Sequence, residues 1–390
     1  MIRYLLLPPV FFCLVWFVVT LLHSLKLSYI LIDLNAATIY LLLGTMLCFL
    51  MGFFYFYLFN KGVVNIGVNK EKYISEILSK KVAKRFKYAF IFWAFFSLLE
   101  VIYHKNVPFL SAFGIGSYIR YTNFGFPGIH GFLNALYFSV ICYFFISNIL
   151  APSKRKLILI LIMFIWPFLL LHRMIIVALF IQLLLIYVIF NQDSIKFKKI
   201  IGITVVFLLF ILVFGYLGDL RSGREHLLRL AKLNFEYPDW LPSGFIWIYL
   251  YITTPINNLI NSVDFLVYPD PLPIELISRV FPSVIREYVL TALGKELEFE
   301  LVSSAFNVST FYVPILRDLG YVFAPFLFLF LGFISSYIVH ISYSKPRYLI
   351  AWVAFMYSIV ISIFSNHMFH LVFWFEAIFF YILIRGVKPI

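Results

Sequence analysis

Acidic side chains are scarce in this sequence. Asp and Glu number 18 among 390 residues, against 31 Lys and Arg, and charged residues of either sign make up only 13% of the chain. A soluble domain averages about a quarter charged residues, so a soluble enzyme is excluded. Cysteine is nearly missing too: Cys13, Cys48 and Cys142 each fall inside an apolar run. There a thiol behaves as a small hydrophobe, and the three imply neither a disulfide nor a metal centre. There is no Walker loop, dinucleotide fingerprint, nucleophile elbow or zinc-spaced Cys/His set. His367 and His370 in "NHMFH" stand three apart but lack an evident third ligand. No internal repeat or low-complexity tract is present.

What is abundant is apolar surface. The chain is 63% hydrophobic and 21% aromatic, with a mean hydropathy of +0.97. Runs long enough for a bilayer lie near 4–22, 37–59, 88–103, 131–150, 157–171, 174–190, 200–218, 320–341, 349–366 and 371–386. They predict an all-α polytopic membrane protein with ten transmembrane helices. No small-residue cleavage site follows the first run, which reads as a retained span rather than a signal peptide.

The net charge of +13 follows from topology. "KEKYISEILSKKVAKRFK", "PSKRK", "NQDSIKFKK" and "YSKPRY" fall on one side of the alternating spans and carry only Glu71, Glu76 and Asp193 as acids. Together with both termini they are the cytoplasmic segments. Their attraction to anionic membrane lipids accounts for the charge, and no nucleic acid is needed. The chain then divides into spans one to seven (1–218), a large outer loop (219–319) and spans eight to ten (320–390). Within the loop, 245–263 is nearly long enough to be an eleventh span, but that would invert everything after it. Pro255 in "TTPINN" is expected to break the helix, and a re-entrant or cavity-lining helix is preferred.

Seven of the eight histidines, among them His130, His226, His367 and His370, map to the outer side. Arg221, Arg224 and Arg229 lie just beyond the seventh span. If 220–235 is one helix, Arg221, Glu225, Arg229 and Lys232 form a solvated stripe, while Arg224 falls on the apolar arc and needs an anionic partner. Arg173 sits in "LLHRM", between two spans so short that the turn should lie below the membrane surface, where an arginine is a functional candidate. Arg279 and Arg286 could share a helical face despite Pro282. Arg317 and Asp318 could be an interfacial ion pair. Arg120 lies in a Gly/aromatic loop that ends at His130.

The order of "LLHRMIIVAL", "GDLRSG", "WIYLYITTPINNL" and "NVSTFYVPILRDLG" resembles the Wzy-type O-antigen or oligosaccharide repeat-unit polymerases, over roughly 157–340. The resemblance implies a glycosyltransferase of the bacterial inner membrane with a GT-C-like fold. Both termini would be cytoplasmic and the active site periplasmic. Its donor and acceptor would be undecaprenyl-pyrophosphate-linked oligosaccharides; it would need no cofactor or metal and could work beside a chain-length regulator. On this reading Arg173 with Arg221 or Arg224 clamps the donor pyrophosphate, since guanidinium forks bind phosphate oxygens bidentately. Arg279, Arg286 and Arg317 serve the second pyrophosphate. Arg120, Tyr249 and Asn257 contact glycan. The base is one of His226, His130, His367 and Asp318, with His226 favoured because it adjoins the arginine cluster. The related ligases carry a histidine near the start of the corresponding late span, where this chain has "NVSTFY". An O-antigen ligase and a flippase of lipid-linked sugars are the rival expectations.

Overall fold

Inside a membrane, an unbroken apolar run satisfies its backbone polar groups by coiling into a helix. The computed structural model describes residues 2–192, 197–263, 266, 274–293, 301 and 306–386. Over these the chain is all-helical, with 76% helix and no strand; the acidic "GKELEFE" lies outside them. The principal helices are α1 (Pro8–Ser24), α2 (Ala36–Phe59), α3 (Lys80–His104), α4 (His130–Leu150), α5 (Lys154–Leu169), α6 (Arg173–Asn191) and α7 (Phe197–Ser222). There follow α8 (Arg224–Ala231), α9 (Gly244–Val263), α10 (Ile274–Ser278), α11 (Ser283–Ala292), α12 (Tyr312–Ser342), α13 (Leu349–Ile361) and α14 (Leu371–Ile384). Six of these, α2, α3, α4, α6, α7 and α12, are long and apolar enough to cross a membrane. Helices α1, α13 and α14 are apolar but shorter.

The connections gather at two ends of the bundle. At one end, Tyr29 N–H donates to the Lys232 carbonyl, Phe311 N–H to Ser362 and Leu371 N–H to Arg279, and the rings of Tyr121 and His172 meet. At the other, Asn69 N–H donates to the Tyr343 carbonyl, and Arg85 donates to the carbonyls of Leu383 and Arg385. The first set comprises the segments that the charge pattern puts outside, and the second those it puts in the cytoplasm. We refer to them as the large-loop end and the lysine-rich end.

Helices α2 and α12 pack closely because two glycines face each other. A Cβ on Gly52 would lie 2.1 Å from the Leu329 carbonyl oxygen, and one on Gly332 the same distance from that of Phe49. Small residues of this kind let backbones touch where no hydrophobic effect drives helices together. Beside this crossing, Phe12 stacks on Phe49 and Trp16 on Phe311. Helix α4 is the most enclosed of the six long helices. Large side chains on α12, such as Phe323, Phe326 and Phe330, are exposed and form an outward apolar surface.

Two local expectations are corrected. The expected helix over 220–235 is interrupted at Gly223, whose φ of 81° ends α7, so Arg221 is not in line with Glu225, Arg229 and Lys232. Helix α9 runs unbroken through Pro255; it packs on α7 and α1, and this packing outweighs the lost backbone bond. Both ends of α9 are held by the large-loop end. Asp219 accepts from Ser243 Oγ and from Trp247 Nε1 at 3.1 Å, and Tyr321 donates to the Val263 carbonyl at 3.0 Å. Finally, α12 is kinked at Gly320, with φ 60° and ψ −174°, so that its first two turns, carrying Arg317 and Asp318, lean away from the span.

Candidate functional site

The large-loop end is organised around Glu275, a buried carboxylate on the short helix α10. Arg279 Nη2 donates to its Oε1 at 2.7 Å and Arg317 Nη1 to its Oε2 at 2.9 Å. Asp318 faces the start of the same helix, accepting from the N–H of Leu276 at 2.7 Å and of Glu275 at 3.4 Å. The expected Arg317–Asp318 pair is therefore replaced by two separate contacts that dock the kinked start of α12 on α10. Arg279 and Arg286 do not share one helix either. Arg279 lies in the turn after α10, and Pro282 precedes α11, which carries Arg286. The turn nevertheless keeps them close: burial, then the charge of Arg279, lowers the pKa of Arg286.

His370 adjoins these cations. Burial, reinforced by Arg279 and Arg286, pushes its pKa down to about 4. Its ring stacks on His367 at a centroid distance of 5.4 Å. His367 Nε2 lies 2.8 Å from the hydroxyl of Tyr357. That hydroxyl donates to Glu376 at 3.2 Å, which also accepts from Gln182. The chain of polar groups thus leads from the cationic cluster into the core of the bundle.

A second pair completes the region. His130 Nδ1 lies 3.0 Å from both oxygens of Glu100, a carboxylate only 1% exposed at the end of α3. Phe126 N–H also donates to Glu100 at 2.9 Å, so the "GFPGIHG" turn wraps the carboxylate. This geometry leaves His130 Nε2 without a share in the pair, which is the arrangement by which a carboxylate orients an imidazole base. A Cβ on Gly128 would meet Pro282 at 3.9 Å and one on Gly131 would meet Leu371 at 3.3 Å, so the turn lies against the segment carrying Arg279 and Arg286. His172, whose pKa burial and His130 together lower to about 4, also interacts with His370 and links the two halves.

Between Glu275, Arg279, Arg317, the "NVST" segment and the 364–366 turn lies a cavity of about 160 Å³. Among the residues around it, five polar atoms shut off from solvent have no partner among the described residues: Arg279 Nε, Ser309 Oγ, Thr310 Oγ1, and both Nδ2 and Oδ1 of Asn366. Leaving such a group unsatisfied costs about 1–3 kcal/mol. A wider, open hollow of about 620 Å³ is lined by His104, Tyr118 and Arg120.

The other candidates lie apart from this cluster. Arg173 sits among aromatic rings, 4.9 Å from the centroid of Trp247, with Phe214 and Tyr251 at about 6 Å. Arg224 donates to the carbonyls of Pro238 and Asp239 and so fastens a turn. Arg221 ends α7, and its side chain lies outside the described residues. His226 is exposed on α8. Tyr249 accepts from Leu27 N–H, and Asn257 donates to the Ile30 carbonyl while accepting from Ile32 N–H, so both secure the 27–32 loop on α9. Among the described residues no three His, Cys, Asp or Glu side chains converge as a metal site would require. Sequence reading gave neither Glu275 nor Glu100 a role. A buried acid is visible in sequence only as an acid inside an apolar context, and its partners are remote. Compared with known proteins, the chain matches no family model, no curated protein and no solved structure.

Proposed function

We propose that this chain is a glycosyltransferase of the repeat-unit polymerase class, set in a bacterial inner membrane by ten spans in a GT-C-like arrangement, with its large-loop end in the periplasm. One observation carries the reading: Arg279, Arg286 and Arg317 gather beside a carboxylate-oriented histidine at the end of the bundle that the charge pattern puts outside. A lipid-linked pyrophosphate presents its anion at that depth, and guanidinium forks match its oxygens. As the bond between the donor sugar's anomeric carbon and the pyrophosphate breaks, charge grows on the leaving oxygens, and these cations stabilise it. His130, held by Glu100, takes the proton of the attacking acceptor hydroxyl, whose oxygen forms the new glycosidic bond. Undecaprenyl pyrophosphate departs. Relative to the sequence reading, the donor pyrophosphate moves from Arg173 with Arg221 or Arg224 to the arginines there given to the second pyrophosphate, and the base from the favoured His226 to His130.

The test is deletion of the gene in its host, with the surface glycan run on a gel and complemented by wild type, Arg286→Ala and His130→Ala. The expected pattern is loss of the ladder with a core-plus-one-repeat band retained, and restoration by wild type alone. Loss of the single-repeat band as well would point to a ligase or flippase and overturn the proposal. A flippase draws on Glu376, an acid fully buried in the bundle of the kind that transport pathways use.

A further inference from the structure

We infer that α11 is an interfacial helix, whose outward face rests in the membrane leaflet at the large-loop end with its apolar side chains among the lipid acyl chains. At 3.6 residues per turn, Val284, Ile285 and Tyr288 fall within about 100° of one another, and they are between 47% and 75% exposed. Leu290, only 7% exposed, and the half-buried Arg286 occupy the opposite side, which faces the protein. Ser283 and Glu287, both exposed, lie on the third side. The helix thus divides its surface into a protein face, an apolar face and a polar flank, the division that suits a helix lying along the boundary between lipid and water. Phe281 in the preceding turn and Ile277 on α10, exposed as well, lengthen the apolar face. Among the described residues nothing covers it, and leaving it to water would be unfavourable.

What covers the apolar face follows from its depth. Leu371 N–H, at the start of α14, donates to the Arg279 carbonyl. Pro282, the residue before α11, lies 3.9 Å from where Gly128 would carry a Cβ, just ahead of α4. Asp318 accepts from Leu276 N–H on α10 and stands just before the kink at Gly320, from which α12 runs on as an apolar helix. The starts of α4, α12 and α14 therefore lie level with α11, and that is where spans pass from hydrocarbon to head groups. Directly past the kink, Val322, Phe323 and Phe326 are exposed on the outward apolar surface of α12. Helix α10 packs on both α12 and α11, so this surface continues through Ile277 and Phe281 onto α11. Tyr288, an aromatic ring with a polar tip, is a side chain that favours the boundary. Arg286, on the protein face, is thereby set at the depth of lipid phosphates, which is the depth the polymerase reading needs; the membrane contact itself holds for any reaction the bundle performs.

The experiment is spin-label accessibility in the full chain, with Cys13, Cys48 and Cys142 replaced by alanine, in vesicles of phosphatidylethanolamine and phosphatidylglycerol. A nitroxide is attached in turn to the variants Val284→Cys, Tyr288→Cys, Ser283→Cys and Glu287→Cys. Its collisions with oxygen, which concentrates in hydrocarbon, are compared with those with a nickel chelate, which stays in water. At positions 284 and 288 the label should meet oxygen in preference to nickel, at a depth of about 5–10 Å into the boundary between head groups and acyl chains. At 283 and 287 the preference should reverse. Nickel contact at 284 and 288 equal to that at 287 would put the stripe in water, and exclusion of both reagents there would mean that protein covers it, this chain or a second copy; either result overturns the inference. A second measurement keeps the native cysteines: the fluorescence that Tyr288→Trp adds to that of the seven native tryptophans should be quenched by lipids brominated high on the acyl chain, and an unquenched increment would overturn the inference as well. Neither measurement reads glycan synthesis, so the interfacial helix and the polymerase assignment stand or fall separately.

Discussion

Neutralising Glu275 tests the organisation of the site most directly. Its side chain is 3% exposed, and those of Arg279 and Arg317 are 24% and 16% exposed. With charge centres about 4 Å apart and an effective dielectric near 20, each pair is worth about 4 kcal/mol of Coulomb attraction. Most of that offsets the removal of three ions from water, and the net cost of deleting one partner from a buried pair is about 3–5 kcal/mol. Glu275→Gln preserves shape and hydrogen-bonding capacity but removes the negative charge that Arg279 and Arg317 share. It should therefore destabilise the protein by about 3–5 kcal/mol. Combining it with Arg317→Met should restore part of the loss, because one of the two cations facing the neutralised side chain is removed. The assay is denaturant unfolding in detergent, followed by tryptophan fluorescence, for the wild type, both single variants and the double variant. A single Glu275→Gln variant within about 1 kcal/mol of wild type would refute the reasoning, as would strict additivity in the double variant.

Other expectations follow from the same geometry. His370 protonates near 4 in the folded chain and near 6.5 when unfolded. The unfolded state therefore binds more protons between those values, and stability should fall as pH drops from about 6.5 to about 4, by at most about 3 kcal/mol. Unfolding measured across that range should show a shallower slope in His370→Gln, and an unchanged slope would remove His370 from the account. Gly52→Ala or Gly332→Ala would place a Cβ 2.1 Å from a carbonyl oxygen. Each should cost about 1–3 kcal/mol or more, read as a lower melting temperature after extraction. Gly320→Ala forces a side chain into a left-handed backbone conformation at a cost of order 1–3 kcal/mol, and it should weaken the glycan ladder by re-aiming Arg317 and Asp318; a normal ladder would show that the kink is dispensable. For Arg173→Lys, loss of the planar group over Trp247 should cost about 1 kcal/mol, and a double-mutant cycle with Trp247→Leu should recover that coupling.

Much of the frame is legible in the amino-acid order. Long apolar runs have few ways to fold in a membrane, so the helical class follows from composition, and the placing of Lys and Arg sorts the loops into two sets that meet at opposite ends of the bundle. The kink at Gly320 falls where the hydropathy puts the start of the eighth span. Misreadings arise where a local rule meets tertiary packing. Pro255 lacks a backbone donor and is expected to break a helix, but packing against α7 and α1 holds α9 intact. Arg224 on an apolar arc suggests a buried anion, yet the carbonyls of Pro238 and Asp239 satisfy it.

By itself, the sequence determined the helical architecture, the grouping of the loops and the concentration of histidine and arginine in one of those groups. These are properties of single segments, governed by hydropathy and by charge next to a span. Only the tertiary structure decided which of those residues act together. Glu275 meets Arg317 across 42 positions and Glu100 meets His130 across 30, while the 307–310 and 364–366 segments line one cavity from distant parts of the chain. No local period or propensity encodes such pairings. They arise because a buried charge finds its lowest free energy beside an opposite one, and the packing of the helices determines which one is within reach.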